Sequence, residues 1–343
     1  MRIAVMGAGS LGTILGAYLT KAGYDVTMVD AYREHVDALN RDGAHITGLA
    51  EFVQPVRACM PENMEGVYDL VIYMAKQTFN RTAIPQIAKH IDEKSTVCTC
   101  QNGIPEYAVA KVIGSDRVVG APVGWGATFK GPGCSALTTE AHANVFTVGA
   151  LDGPINARVR MVQEVLSAFC PVNVTENLMG VRWTKLIMNA TYSALGTCFG
   201  YTFGEVSDDA RAVKLALRIG KEIIDVCAEL GITLEEYEGF NFYEAHKRGN
   251  AKTNTESIRV IREIWKGHES GEASMLQDLK RGKPCEVQQI CGVVAEEGDK
   301  VGIPTPVTDR CVEVITKIQN GELTYCADNM KYFEEFLHNV KTQ

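Results

Sequence analysis

Short apolar runs alternate with helix-period stretches through the first half of the chain. Arg2–Met6, Asp25–Val29, Leu70–Met74, Thr96–Thr99 and Val118–Gly120 read as strands, and strands separated by crossover helices specify a parallel sheet covered on both faces. Two stretches interrupt that alternation. Residues 43–60 carry β-formers on both sides of Gly48 and predict an inserted hairpin or strand pair. Residues 122–150 predict a further antiparallel extension, with GPGC at 131–134 as the turn between WGATF and ANVFTVGA. After Val174 the strands stop. Apolar residues then recur at three and four spacings through 177–199, 209–230, 254–266, 287–301 and 307–319, the signature of helices. GIPTPV at 302–307 breaks two of them, with Pro306 placed for a helix first turn. The pattern predicts a doubly wound α/β domain over 1–174 and an all-helical domain over 175–343.

Composition narrows the class. A chain of 343 residues with 46% hydrophobic content can bury a core in each of two domains. No apolar run reaches membrane-spanning length, and the first apolar segment is cut by glycines, so no membrane span or signal peptide is expected and the cytoplasm is the expected location. Eleven cysteines without paired C-x-x-C spacing read as buried thiols, not as a disulfide framework or a zinc site. A net charge of −8 with scattered basic residues excludes a nucleic-acid surface and leaves a small anionic substrate held by local positive groups.

The first strand delivers GAGSLG, residues Gly7, Ala8, Gly9, Ser10, Leu11 and Gly12, to a helix expected over Leu11–Ala22. Gly7 permits the tight turn, Gly9 removes a side chain that would block a phosphate, and Gly12 lets the helix pack closely on the strand. A helix start after such a loop favours a pyrophosphate, so the domain is expected to be Rossmann-type and to bind a dinucleotide. Asp30 closes the second strand, where a carboxylate accepts the ribose hydroxyls of NAD and repels a 2′-phosphate. NAD is the expected cofactor and NADP the alternative, since Arg33 lies near; Asp30 is also placed to cap a helix over Tyr32–Leu39.

Ligands collect at the carboxyl ends of strands in open parallel sheets. Lys76, after DLVIYMA, and Asn102, in CQNGIPE, stand there, although Asn102-Gly103 is also a good turn dipeptide. In the helical half, GVRWTKLIMNATYSALGT places Lys185, Asn189 and Ser193 at spacings of four, hence on one helix face. A lysine on such an apolar helix points to a lined cavity, unless that face meets solvent and Trp183, Leu186 and Ile187 face the core. Further on, Ser274 closes a glycine-containing loop and Glu286 follows Pro284 near a helix start, where a carboxylate also stabilises by itself.

These segments, in this order, resemble the ketopantoate reductase (2-dehydropantoate 2-reductase) family: GAGSLG, the lysine of AKQ, QNG, the W-x-K-x-x-x-N helix from Trp183 to Asn189, and SMLQD followed by Glu286. The resemblance implies a Rossmann-type domain, a helical C-terminal domain and NAD(P)H-dependent reduction of a 2-oxo acid to an (R)-2-hydroxy acid. It implies Lys185 as general acid, Glu286 as the group aligning the substrate hydroxyl, Asn102, Asn189 and Ser274 as substrate contacts, and Lys76 near the nicotinamide ribose. Ser193 departs from the pattern, standing where the family carries a second asparagine; Asp30 departs where the family tends to be basic and to use NADPH. The expected reaction is reduction of ketopantoate to pantoate, in pantothenate synthesis. Alternatives are an NAD-dependent D-2-hydroxyacid dehydrogenase acting on another branched or aromatic 2-oxo acid, a β-hydroxyacid dehydrogenase, and a non-enzymatic dinucleotide sensor, which would need none of Lys185, Asn189, Ser274 and Glu286. A homodimer is a further expectation, since helical second domains often pair.

Overall fold

A computed structural model of the chain describes residues 1–140, 145–236, 241, 258–259, 261–263 and 265–338. They form two compact units, Met1–Leu178 and Met179–Gln343. Residues 175–178 stay with the first unit because Thr175 N–H donates to the Val148 carbonyl (2.9 Å) and Leu178 packs over Gly149.

In the first unit, β1 (Arg2–Met6), α1 (Ser10–Lys21), β2 (Asp25–Val29) and α2 (Arg33–Asp42) build the opening crossover. The hairpin β3 (Ala44–Gly48) and β4 (Phe52–Gln54) follows, then β5 (Arg57–Cys59), β6 (Leu70–Tyr73), α3 (Asn80–Ala88), β7 (Thr96–Thr99), α4 (Pro105–Ile113) and β8 (Val118–Gly120). β9 (Ala127–Gly131), β10 (Cys134–Leu137), β11 (Phe146–Ala150), α5 (Ala157–Leu166) and β12 (Val172–Val174) complete it. The main sheet runs β12-β11-β8-β7-β6-β1-β2-β5 and is parallel throughout except between β8 and β11. Its order reverses between β1 and β6, where the carboxyl ends of neighbouring strands open a site for a ligand. Alternate residues serve opposite faces. Ile3, Val5, Leu70, Ile72 and Cys98 pack into one core, and Ala4, Met6, Val71, Tyr73 and Val97 into the other. Burial on both sides is why these strands read as unbroken apolar runs.

Both interrupting stretches differ from expectation in the same way. Each divides between two sheets. The segment 43–60 gives the hairpin β3–β4 to a second, four-stranded sheet of order β4-β3-β10-β9, while β5 returns to the main sheet beside β2. In 122–150, GPGC turns β9 into β10, not into the alternating stretch ahead of α5, and that stretch supplies β11 of the main sheet. β10 pairs parallel with β3 across nearly ninety positions, Cys134 with His45 onward, a partnership no local pattern encodes.

Among the described residues the second unit holds α6 (Leu178–Met188) from Met179 onward, α7 (Ala194–Phe199), α8 (Phe203–Asp208), α9 (Ala210–Glu229), α10 (Ser274–Lys280), α11 (Val293–Val301), α12 (Pro306–Gln319) and α13 (Glu334–His338). Pro306 occupies the first turn of α12, as its sequence suggests. Residues 235–271 are polar and aromatic without a clear period and read as a surface excursion; 237–240, 242–257, 260 and 264 of that stretch lie outside the described residues, and with them part of the helical period expected over 254–266. Among the described residues no disulfide links the cysteines, and no helix is long and apolar enough to cross a membrane.

Candidate active site

The glycine loop has the three-part construction its sequence requires. Gly7 has φ +100°, and a Cβ there would lie 2.7 Å from the Ala75 Cβ and closer still to the Ala75 backbone; only glycine fits a left-handed turn pressed against the end of β6. Gly12 faces the Gly7 backbone, with its own Cβ position 3.3 Å from Val5 Cγ1. At Gly9 an added Cβ would meet nothing within 4 Å. That glycine keeps open the space through which a phosphate would approach. Gly9 is also the N-cap of α1, which starts at Ser10 rather than Leu11 and has no side-chain cap and no acidic residue in its first turn. Its leading N–H groups suit a pyrophosphate.

Around this loop stand the carboxyl ends of β2, β6 and β7. Asp30 accepts the Tyr32 N–H on Oδ1 at 2.9 Å; Tyr32, not Asp30, is the N-cap of α2, and a carboxylate retains capacity for further donors. Arg33 reaches Glu62 at 3.9 Å. Ala75 N–H donates to the Met6 carbonyl (2.9 Å), which ties the AKQ segment to the loop's own strand. Lys76 is half-buried in that segment, just ahead of a short turn over Gln77–Phe79. Three side chains without a predicted role join the neighbouring loops. Gln77 Nε2 donates to the Asn102 carbonyl (2.6 Å), Gln101 Nε2 to the Ala75 carbonyl (2.5 Å), and Tyr73 OH to Asn80 Oδ1 (2.7 Å). They hold Lys76 and Asn102 on adjacent strand ends; polar residues just after buried strands were the signal available in sequence.

Within the second unit, Lys185 lies on α6, but the helix does not run on unchanged through Ser193. Asn189–Ser193 forms a π-turn before α7 resumes. Thr191 Oγ1 donates to the Ile187 carbonyl (2.6 Å) and Thr197 Oγ1 to the Ser193 carbonyl (2.6 Å), back-bonds of the kind that deform helices. In α geometry, residues four apart drift by about 40°, whereas a turn closed by i→i+5 bonds holds more than four residues and reverses the drift. Ser193 is therefore returned toward the azimuth of Lys185, with Asn189 about 40° from it. Trp183, Leu186 and Ile187 are buried on the core side. Lys185 and Asn189 are half-buried and Ser193 is 7% exposed, so the face is not a solvated one. Among the described residues no acceptor meets the buried Asn189 Nδ2.

A second π-turn, Gln288–Gly292, begins two residues after Glu286 and packs against the first. A Cβ on Gly292 would lie 2.7 Å from Gln288 Oε1, the movable end of an exposed side chain. Glu286 is 6% exposed at this helix start, its carbonyl accepting Gln289 and Ile290 N–H at 3.1 and 3.0 Å. Ser274 is exposed at the first position of α10, which packs against the first π-turn. Its loop is pinned to α8 by Phe203 N–H on the Gly271 carbonyl and Gly204 N–H on the Glu269 carbonyl, both 2.9 Å. Tyr192, on the first π-turn, is pushed up to about 12 by burial and remains a neutral phenol. The unit thus carries a lysine and an amide donor on α6 and the first π-turn, a hydroxyl on α10 and a buried carboxylate ahead of the second π-turn, residue types able to orient a carbonyl substrate and protonate its oxygen.

Two family models match: Ketopantoate reductase PanE/ApbA over residues 3–152, and Ketopantoate reductase PanE/ApbA C terminal over 177–319. The 2-dehydropantoate 2-reductases of Mesorhizobium japonicum and Archaeoglobus fulgidus are each 26% identical, the alignments covering 93% of this chain and 98% of each relative. Among solved structures, D-mandelate dehydrogenase with NADH and anilino(oxo)acetate superposes with a TM-score of 0.81 at 22% identity, covering 94% of this chain and 99% of that one. The PanE/ApbA family ketopantoate reductase from Ralstonia eutropha gives 0.79 at 23% identity, with the same coverage. Rossmann-type sheet and helical second unit agree with these matches, and the chain belongs to the ketopantoate reductase family of NAD(P)-dependent oxidoreductases acting on CH–OH groups.

Proposed function

We propose that the chain reduces ketopantoate to (R)-pantoate with a reduced nicotinamide dinucleotide, Lys185 serving as general acid. The observation that carries this reading is the buried, unpartnered Asn189 Nδ2 one turn from Lys185. A buried amide donor without an acceptor costs about 1–3 kcal/mol, and a substrate oxygen offsets that cost. Gly7, Ala8, Gly9, Ser10, Leu11 and Gly12 hold the pyrophosphate, Asp30 the adenosine ribose, and Lys76 and Asn102 the nicotinamide end. The bound nicotinamide supplies hydride to the C2 carbonyl carbon. Charge then develops on the carbonyl oxygen, where the Lys185 ammonium stabilises it and transfers a proton. Glu286 aligns the resulting hydroxyl and the lysine, while Asn189, Ser193, Ser274 and Asn102 position the remainder of the substrate.

Two observations favour a second reading, an NAD-dependent D-2-hydroxyacid dehydrogenase for another branched or aromatic 2-oxo acid. Ser193 is shorter than the asparagine expected there, which leaves more room and one donor fewer. Asp30 disfavours a 2′-phosphate, and its neighbour Arg33 is directed to Glu62; NAD is accordingly the proposed cofactor over NADP. Initial rates of NADH and NADPH oxidation with ketopantoate, 2-oxoisovalerate, 2-oxobutyrate and phenylglyoxylate test both readings. Highest kcat/KM on ketopantoate supports the first; preference for an acid lacking the distal hydroxyl establishes the second. A homodimer in the cytoplasm is part of the proposal, and light scattering of the purified chain checks the assembly.

A further inference from the structure

The peptide between Ala8 and Gly9 is the part of the glycine loop whose orientation the backbone itself leaves free. Rotating it changes ψ of Ala8 and φ of Gly9, and glycine tolerates almost any φ. Yet the Ala8 carbonyl is held by two donors from different helices: Thr13 Oγ1 at 2.7 Å and His35 Nε2 at 2.6 Å. Thr13 is fully buried and His35 is 1% exposed. The opposite edge of the imidazole is also engaged. Gly133 N–H, in the turn between β9 and β10, donates to His35 Nδ1 at 2.9 Å. Because Nδ1 accepts, the proton of the neutral ring sits on Nε2, where it meets the Ala8 carbonyl. Thr13 Oγ1, 3.2 Å from Nε2, closes the triangle.

We infer that Thr13 and His35 clamp the dinucleotide loop, fixing the Ala8–Gly9 peptide so that Gly9 N–H is preset for the pyrophosphate, and are positioning residues for the cofactor. In a planar trans peptide the carbonyl and the following N–H point in opposite directions. With the Ala8 carbonyl drawn inward onto Thr13 and His35, Gly9 N–H is turned outward, and among the described residues no acceptor takes it. The Cβ position of the same residue meets no atom within 4 Å. His35 carries this setting to the second sheet through Gly133, so that sheet braces the loop as well as covering α1. Preorganised donors bind without a reorientation cost.

The test is titration of NADH and NADPH fluorescence on the wild-type chain and on Thr13→Val, His35→Phe and His35→Gln, with melting curves and hydrogen exchange of the loop peptide in the dinucleotide-free protein. Thr13→Val keeps the shape and removes one donor; His35→Phe keeps a ring and removes both bonds; His35→Gln restores an N–H donor at the reach of Nε2. The expected result is Kd for the preferred dinucleotide raised about fivefold by Thr13→Val and about tenfold or more by His35→Phe. His35→Gln recovers most of that loss, and loop exchange is faster in the two weakened variants. Wild-type affinity in Thr13→Val and His35→Phe overturns the clamp. Equal loss in His35→Gln and His35→Phe overturns the role of the His35 donor. If His35→Phe fails to fold, Thr13→Val decides. Failure of the wild-type chain to bind either dinucleotide overturns the cofactor site itself, and the clamp with it.

Discussion

Two glycines three residues apart, Gly9 and Gly12, should separate binding from folding when each is changed to alanine. At Gly9 the new Cβ meets no atom within 4 Å, and the backbone, at φ −65° and ψ −151°, is extended and open to an L residue. Gly9→Ala should therefore leave the melting temperature within about 1 °C of wild type, its stability change lying in the range of about ±0.5 kcal/mol for a substitution that meets nothing. Its methyl group occupies the approach to the loop N–H groups, and a rise of tenfold to a hundredfold in dinucleotide Kd, about 1.4–2.8 kcal/mol, is expected. At Gly12 the Cβ would stand 3.0 Å from the Gly7 carbonyl carbon, with the oxygen nearer still. Backbone cannot swing aside as a side-chain end can, and the helix must lift from β1. Alanine gains about 1 kcal/mol of helix propensity over glycine, but overpacking costs typically about 1–3 kcal/mol, and a backbone overlap belongs at the upper end. The net loss of about 2 kcal/mol lowers the melting temperature of this unit by roughly 4–8 °C. Differential scanning fluorimetry and NADH fluorescence titration on the same samples read both quantities. Wild-type affinity in Gly9→Ala, at unchanged stability, would refute the assignment of the open space to the phosphates.

Lys185→Ala should lower kcat about a hundredfold or more while leaving the dinucleotide Kd within twofold, measured by steady-state rates beside fluorescence titration; intact turnover removes Lys185 from the mechanism. Asp30→Ser should shift the ratio of kcat/KM for NADH over NADPH toward NADPH by about tenfold or more, and an unchanged ratio means Asp30 does not read the ribose. A stability prediction concerns Glu222, on α9, which accepts Val307 N–H (3.0 Å), Thr308 N–H (2.9 Å) and Thr308 OH (2.7 Å) at the start of α12. Glu222→Ala orphans these donors and should cost about 1–3 kcal/mol in urea unfolding. Burial holds the Glu222 carboxyl above the usual carboxylate range against the lowering effect of those bonds. The native state thus keeps its proton to higher pH than the unfolded chain, so the stability due to Glu222 is full below the ordinary value and falls as pH rises through the raised one. The wild-type advantage over Glu222→Ala should shrink across that window, and growth with pH would contradict the assignment.

The parts of this fold that were legible in sequence are those whose causes are local. GAGSLG declares itself because each glycine answers to a neighbour a few residues away along the chain or directly across β1, and Pro306 starts a helix wherever it is placed. What escaped was partnership at long range. β10 and β3 look like ordinary short strands, and their joining into a second sheet depends on pairing Cys134 with His45. His35 suffered most from this. In sequence it is one polar position on an amphipathic helix, and only the arrival of Gly133 at its Nδ1 reveals a buried bridge to the cofactor loop.

The helical half shows the converse case, chemistry legible and geometry hidden. Lys185, Asn189 and Glu286 stand out as polar groups on apolar helices, but a π-turn differs from an α-turn by less than the scatter of any apolar pattern. Only Thr191 and Thr197 hinted at it, through hydroxyls able to back-bond. Widened turns are drawn to functional sites, and here two of them pack together, one beginning four residues after the candidate acid Lys185 and the other two residues after the candidate carboxylate Glu286. A straight helix from Leu178 to Phe199 would carry Ser193 progressively around the axis from Lys185. The π-turn returns it, and it does so at the residue whose Nδ2 is buried without an acceptor. Both departures from regular structure, a widened turn and an unsatisfied donor, fall on Asn189. Other buried polar atoms lack partners among the described residues, Trp183 Nε1 on the same helix included, so it is the coincidence with the widened turn, and not the unsatisfied donor alone, that supports the proposed substrate contact at Asn189.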